Sequence, residues 1–157
     1  MKEKILETFR DLGFKLEEEE DMGYCFNYEG LNLLYMYNEN DEEFLNIALP
    51  GIIEVEEDRM LQICALLEKI NSTLKYVKTY MLGNSVWLFY ERELFGEEDL
   101  MTVISRMILH LEAGLVFARK AMAEIEETMA NDSSADDTIE SAEEIVTEEI
   151  ADDEDIE

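Results

Sequence analysis

Apolar residues change their spacing several times along the chain, and each change marks an element. Over residues 2–12, Ile5, Leu6, Phe9 and Leu12 recur at three and four, which puts them on one face of a short helix that Gly13 stops. Strand-like segments follow. Phe14-Lys15-Leu16-Glu17 alternates before acids dilute it, the mark of an edge strand. Tyr24 to Tyr28, Leu31 to Tyr37 and Phe44 to Leu49 lie at hairpin spacing, with turns at Gly30 and Asn38–Asp41 and a stop at Pro50-Gly51. From Glu54 to Asn71 the period becomes helical through Met60, Ile63, Cys64, Leu67 and Ile70. Acids crowd its first turns, where the helix dipole favours negative charge. Lys75–Leu82 and Ser85–Glu91 are two more strands, joined by Gly83-Asn84 with the glycine placed for a II′ turn. Val86 to Tyr90 is apolar at every position, which predicts a central strand covered on both faces.

A long helix runs from Glu97 to about Glu127. Leu100, Ile104, Met107, Leu111 and Ala118 form its main stripe, and Met101, Ile108, Leu115 and Met122 a second, with Val103 and Phe117 beside them. That is more apolar surface than one sheet face needs, so the second stripe packs either inside the monomer or across a subunit interface. The order is α-β-β-β-(β)-α-β-β-α. It predicts an α+β fold with an antiparallel sheet, an N-terminal helix, a central helix and a long C-terminal helix.

Charge divides the chain. Of 40 acids in the 157 residues, 13 fall between Asn131 and Glu157, where there is no base; the first 130 residues hold the other 27 together with all 12 bases. Residues 1–129 therefore read as a single domain and 130–157 as an acidic tail, disordered or weakly helical. The net charge of -28 argues against nucleic acid and anionic membrane as partners, because phosphate binding needs a basic face. No uninterrupted apolar run approaches the roughly 20 residues that cross a bilayer. Cys25 and Cys64 lie far apart inside apolar segments, as buried reduced thiols of a cytoplasmic protein do.

Candidate chemistry is sparse. His110, the single histidine, lies beside the apolar stripes and reads as a structural or half-exposed side chain. Gly83-Asn84-Ser85-Val86-Trp87 starts like a nucleophile elbow but has Trp87 where the second glycine belongs. Asn38 to Glu43 alternates calcium-ligand types, but the position-twelve glutamate of an EF-hand loop is Leu49 here. No phosphate-binding glycine loop appears. These readings predict no catalytic residue, no metal and no cofactor. The aromatics Tyr24, Phe26, Tyr28, Tyr35 and Tyr37 recur at spacing two on neighbouring strands, which suits core packing or a binding groove. Phe26, Tyr28, Tyr35 and Tyr37, with Leu115 and Met122 of the long helix, are the candidate partner-binding residues.

Phe26-Asn27-Tyr28-Glu29-Gly30, then Leu66 to Asn71 and Lys75, then Val86 to Glu91, occur in an order that resembles the YbjN-like family within the type III secretion chaperone fold. That family is often described as bacterial sensory-transduction regulators. The resemblance spans about Tyr24 to Met122 and does not include the tail. It implies a homodimer that binds an extended segment of another protein on apolar patches, and it carries no catalytic residues over. The reading is a cytoplasmic, non-enzymatic protein that binds a protein or peptide partner, chaperone-like or regulatory. A regulatory adaptor acting through the acidic tail is the alternative, and a hydrolase is a third class.

Overall fold

The computed structural model describes residues 1–134 in full and the backbone of the last helix as far as Asp152. Helix α1 (Lys2–Asp11) precedes strands β1 (Glu17–Glu19), β2 (Gly23–Tyr28), β3 (Leu31–Met36) and β4 (Phe44–Glu54). A short 3-10 turn (Glu57–Arg59) leads into α2 (Met60–Thr73), then β5 (Val77–Leu82), β6 (Ser85–Glu93) and α3 (Leu100–Asp152). The six strands make one antiparallel sheet in the order β1-β2-β3-β4-β6-β5. This is the α+β architecture that the periodicities predict.

The three helices share one face of that sheet. Ile5, Leu6 and Phe9 of α1, Ile63, Leu66 and Ile70 of α2, and Ile104, Met107 and Leu111 of α3 form a common core with Phe26, Leu33, Tyr35, Ile47, Val86 and Leu88. Phe9 is its aromatic hub, with ring centroids 4.8 Å from Phe26 and 5.6 Å from Tyr35. The hairpin turns are those the glycines allow. Gly83 takes a φ of +63° between β5 and β6, as the first position of a II′ turn requires. Glu29 and Gly30 both take positive φ between β2 and β3, and the Gly30 N–H donates to Asn27 Oδ1.

Several expectations change in the structure. β4 does not stop at Pro50-Gly51 but runs on to Glu54, with its register to β6 shifting between Leu49 and Ile53. Proline, which has no N–H to pair, and a glycine at φ +62° both fit at such a bulge. Phe14 and Leu16 are not in a strand; they pack against the core just before β1, which is three glutamates. In α2 the buried stripe is Ile63, Leu66 and Ile70, while Met60 and Cys64 are exposed. In α3 the core takes up both predicted stripes apart from Met101, since Ile108, Leu115 and Met122 are as buried as the first stripe. Met101, Leu109 and Val116 are left exposed on its outer side.

A stretch of α3 between Leu100 and Ser134 is long and apolar enough to cross a bilayer by length and composition. Its apolar side is nonetheless the layer that covers the sheet. The helix outlasts the apolar periodicity, which fades near Glu127. The acidic tail expected over 130–157 lies, beyond Ser134, outside the residues described in full.

Candidate functional site

The helices cover one face of the sheet, and the other face has no helical layer among the described residues. Residues opposite each other in an antiparallel ladder point to the same side. The register therefore lays out the uncovered face row by row. One row crosses all six strands: Glu17, Cys25, Leu34, Ala48, Phe89 and Lys78. The row on one side is Glu19, Gly23, Met36, Asn46 and Glu91. On the other side Asn27 faces Asn32, and Trp87 faces Tyr80. Apolar residues fill the middle of the face and charged ones sit at its ends.

Leu34, Ala48 and Phe89 are buried, among the described residues, by their own neighbours on the sheet, with Cys25, Met36 and Trp87 packed against them. Tyr80 stacks parallel on Phe89 with centroids 4.2 Å apart, and Trp87 flanks it at 5.9 Å. Trp87 is held in place because its indole N–H donates to Ser85 Oγ at 2.9 Å. Burial pushes the Tyr80 hydroxyl up from its ordinary pKa, with Glu91 adding to the shift and Lys78 opposing it. Burial likewise raises the Cys25 thiol, helped by Glu19 and Glu17. Both effects mark a low-dielectric surface edged with negative charge. Phe44 and Leu82 leave further apolar side chains exposed at its corners.

At one end the face opens into a hollow of about 620 Å³ whose lining includes Met22, Met36, Tyr37, Phe44, Asn46 and Glu91. Asp21, Glu39 and Asp41 stand around it. Asn46 Nδ2 donates to Glu91 Oε1 at 2.9 Å, while its Oδ1 is buried without a partner. Lys78 forms an ion pair with Glu91.

Both sheet edges are guarded against strand addition. β1 presents only Glu17, Glu18 and Glu19. On β5, the Thr79 N–H donates to Asn71 Oδ1 at 2.8 Å and Asn71 Nδ2 donates to the Thr79 carbonyl at 3.0 Å. The side-chain amide of α2 thus imitates a neighbouring strand and closes the middle of that edge.

The candidate residues chosen from the sequence do not form one surface. Phe26, Tyr35, Leu115 and Met122 are buried in the helix-covered core, so their contacts are internal. Tyr28 and Tyr37 are half-buried at its margins. Tyr37 donates to Glu42 Oε1 at 2.6 Å, which pushes its hydroxyl up to about 12. His110 packs against the rings of Tyr76 and Tyr90, centroids 5.3 and 5.8 Å away, as a structural histidine does. The residues that sequence reasoning missed are Trp87, Phe89, Tyr80, Leu34 and Met36. Their signal was the absence of alternation in β6 and β3.

No protein-family model matches the chain, and neither does any curated protein. Solved structures do match its fold. YbjN from E. coli, described as a candidate transcription regulator, is 14% identical with a TM-score of 0.56, over 76% of this chain and 92% of that one. An uncharacterized protein from Methanothermobacter thermautotrophicus is 17% identical with a TM-score of 0.53, over 81% of this chain and 97% of that one. At these identities the likeness establishes a YbjN-like fold and nothing more specific.

Proposed function

We propose that the chain is a non-enzymatic protein-binding module, chaperone-like or regulatory, that holds a polypeptide partner on the uncovered face of its sheet. The supporting observation is the apolar surface that Tyr80, Trp87, Met36 and Phe44 offer around the buried row of Leu34, Ala48 and Phe89, on a side that no helix covers among the described residues. Contiguous apolar surface of this kind is where soluble proteins meet partners. The description of YbjN as a candidate transcription regulator supports the regulatory side of this reading. With a net charge of -28, regulation here runs through protein contacts and not through DNA. The module acts in the cytoplasm, away from membranes, and needs no cofactor. Two copies meet along the outer side of α3 at Met101, Leu109 and Val116, which leaves the uncovered sheet face of each copy free.

Affinity capture from the native cell tests the reading when wild type and Tyr80→Glu are compared. Tyr80 is 39% exposed, so the charge disturbs the face without opening the core. A protein retained by wild type and lost with Tyr80→Glu supports the proposal. Identical retention by both, or turnover of generic esters or phosphates that disappears with His110→Ala, overturns it.

A further inference from the structure

Resting on that reading, we infer that the occupant of the face is a basic amphipathic helix, and that neither an extended strand nor a second copy of this chain is the intended fit. Shape comes first. An added strand needs a free edge, and the edges here are three glutamates and a strand latched by Asn71. What remains is a face, on which Met36 of β3, Phe44 of β4, Trp87 of β6 and Tyr80 of β5 stand half-buried or exposed around the buried Leu34, Ala48 and Phe89. Four strands at about 4.8 Å spacing make a strip roughly 14 Å across. A helix about 10 Å wide and three turns long covers it.

Charge then selects the helix. The register puts Glu17, Glu19, Glu54, Glu91 and Glu93 on this side, against Lys78. Lys78 is already held by Glu91, so the rim is acidic on balance. The hollow at the Phe44 end adds Asp21, Glu39 and Asp41 beside the apolar side chains of Met22, Met36 and Phe44. That combination receives the long apolar stem and cationic head of a lysine or arginine. A helix with one leucine-type stripe flanked by lysine or arginine matches both the centre and the rim. A second copy laid face to face would set these acidic rims against each other.

Trp87, the only tryptophan, flanks the buried row beside Tyr80 and reports occupancy by its fluorescence. The full-length protein is titrated at pH 7 with three tryptophan-free 18-residue peptides. The first is a leucine–lysine amphipathic helix, the second its leucine–glutamate counterpart, and the third a lysine peptide of equal charge with no apolar stripe. The expected result is a Trp87 shift with the first peptide alone. Its affinity should fall about tenfold or more between 50 and 500 mM salt. The same loss is expected with Met36→Glu, and with Glu17→Lys combined with Glu19→Lys, while the circular dichroism melt of each stays like wild type. Equal binding of the leucine–glutamate helix would overturn the basic partner while leaving the protein-binding face standing. Equal binding of the stripe-free peptide would reduce the effect to bulk attraction and overturn the inference. A chain that binds none of the three and sediments as a dimer shielding Trp87 would make the face a self-association surface, and both readings would fall.

Discussion

Replacing Asn71 by alanine removes the latch on the β5 edge, and its effect can be worked from two hydrogen bonds. The amide accepts from the Thr79 N–H at 2.8 Å and donates to the Thr79 carbonyl at 3.0 Å. Thr79 is only 4% exposed, so water cannot fully replace either contact. Each bond is worth about 0.5–1.5 kcal/mol net, which gives about 1–3 kcal/mol for the pair. Alanine's better helix propensity returns about 0.5 kcal/mol. A net loss of about 0.5–2.5 kcal/mol lowers the Tm of a body this size by roughly 2–10 °C, readable by scanning calorimetry. Ser72→Ala is the control, because the Ser72 hydroxyl reaches only the Lys69 carbonyl of its own helix; it should stay within about 1 °C. Light scattering gives a second readout. With the latch gone, an edge carrying Tyr80 and Leu82 is open to pairing, and association should rise with concentration. A Tm for Asn71→Ala within about 1 °C of wild type, with unchanged scattering, would show that the amide contact does not guard the strand.

Gly23→Ala should be severely destabilising, by about 3 kcal/mol or more in urea titration, because φ is +135° and a Cβ there would lie 2.0 Å from the Tyr35 carbonyl oxygen. Gly30→Ala, where nothing lies within 4 Å of the new methyl, should cost only about 1 kcal/mol of backbone strain. Alkaline pH should unfold the chain through Tyr35, whose hydroxyl burial holds well above its ordinary value. A raised folded pKa stabilises fully below the unfolded value, so the tyrosine part of the urea midpoint should fall as pH rises above about 10, and Tyr35→Phe should remove its largest single share, with Tyr37 and Tyr80 supplying smaller ones. Deleting residues 131–157 should change Tm by less than about 2 °C, since among the described residues the last side chains packed on the hydrophobic core are Met122 and Ile125.

Much of the fold was legible because helix and strand periods are local. The α1 stripe of Ile5, Leu6 and Phe9 and the main α3 stripe are buried as read. In α2 the period was right and the stripe partly so: Ile63 and Ile70 are buried as read and Leu67 packs on the core, but Leu66 joins them and Met60 and Cys64 face out. Apolar residues lie on both sides of that helix, and only its docking against α3 and β5 decides that Ile63, Leu66 and Ile70 turn inward while Cys64 stays out. The binding face was harder for a related reason. A spacing of two says that Tyr24, Phe26, Tyr35 and Tyr37 share a side but not which side, and the helices took that one. Conversely, the unbroken run Val86 to Tyr90 suggested double coverage. In the fold one side meets the helices and the other, with Trp87 and Phe89, meets no helix. Period alone cannot separate a strand with two covered faces from one whose second face is left open. The usable clue was a count of layers. β3 and β6 both lack alternation, yet among the described residues the helices cover only one side.

An open apolar face in a chain of net charge -28 also makes salt a discriminating reagent. At low salt, repulsion between copies opposes self-association, and the same charge attracts a basic segment. Adding salt screens both, so the two equilibria move in opposite directions: self-association strengthens while capture of a basic helix weakens. The neutral contribution of Leu34, Ala48, Phe89 and their neighbours is common to both and hardly changes. A salt titration followed through Trp87, run with and without the leucine–lysine peptide, therefore gives opposite slopes if the face is built for a basic partner. Parallel slopes would mean that the acidic rim is only a solubility device and that the apolar centre takes any amphipathic segment alike.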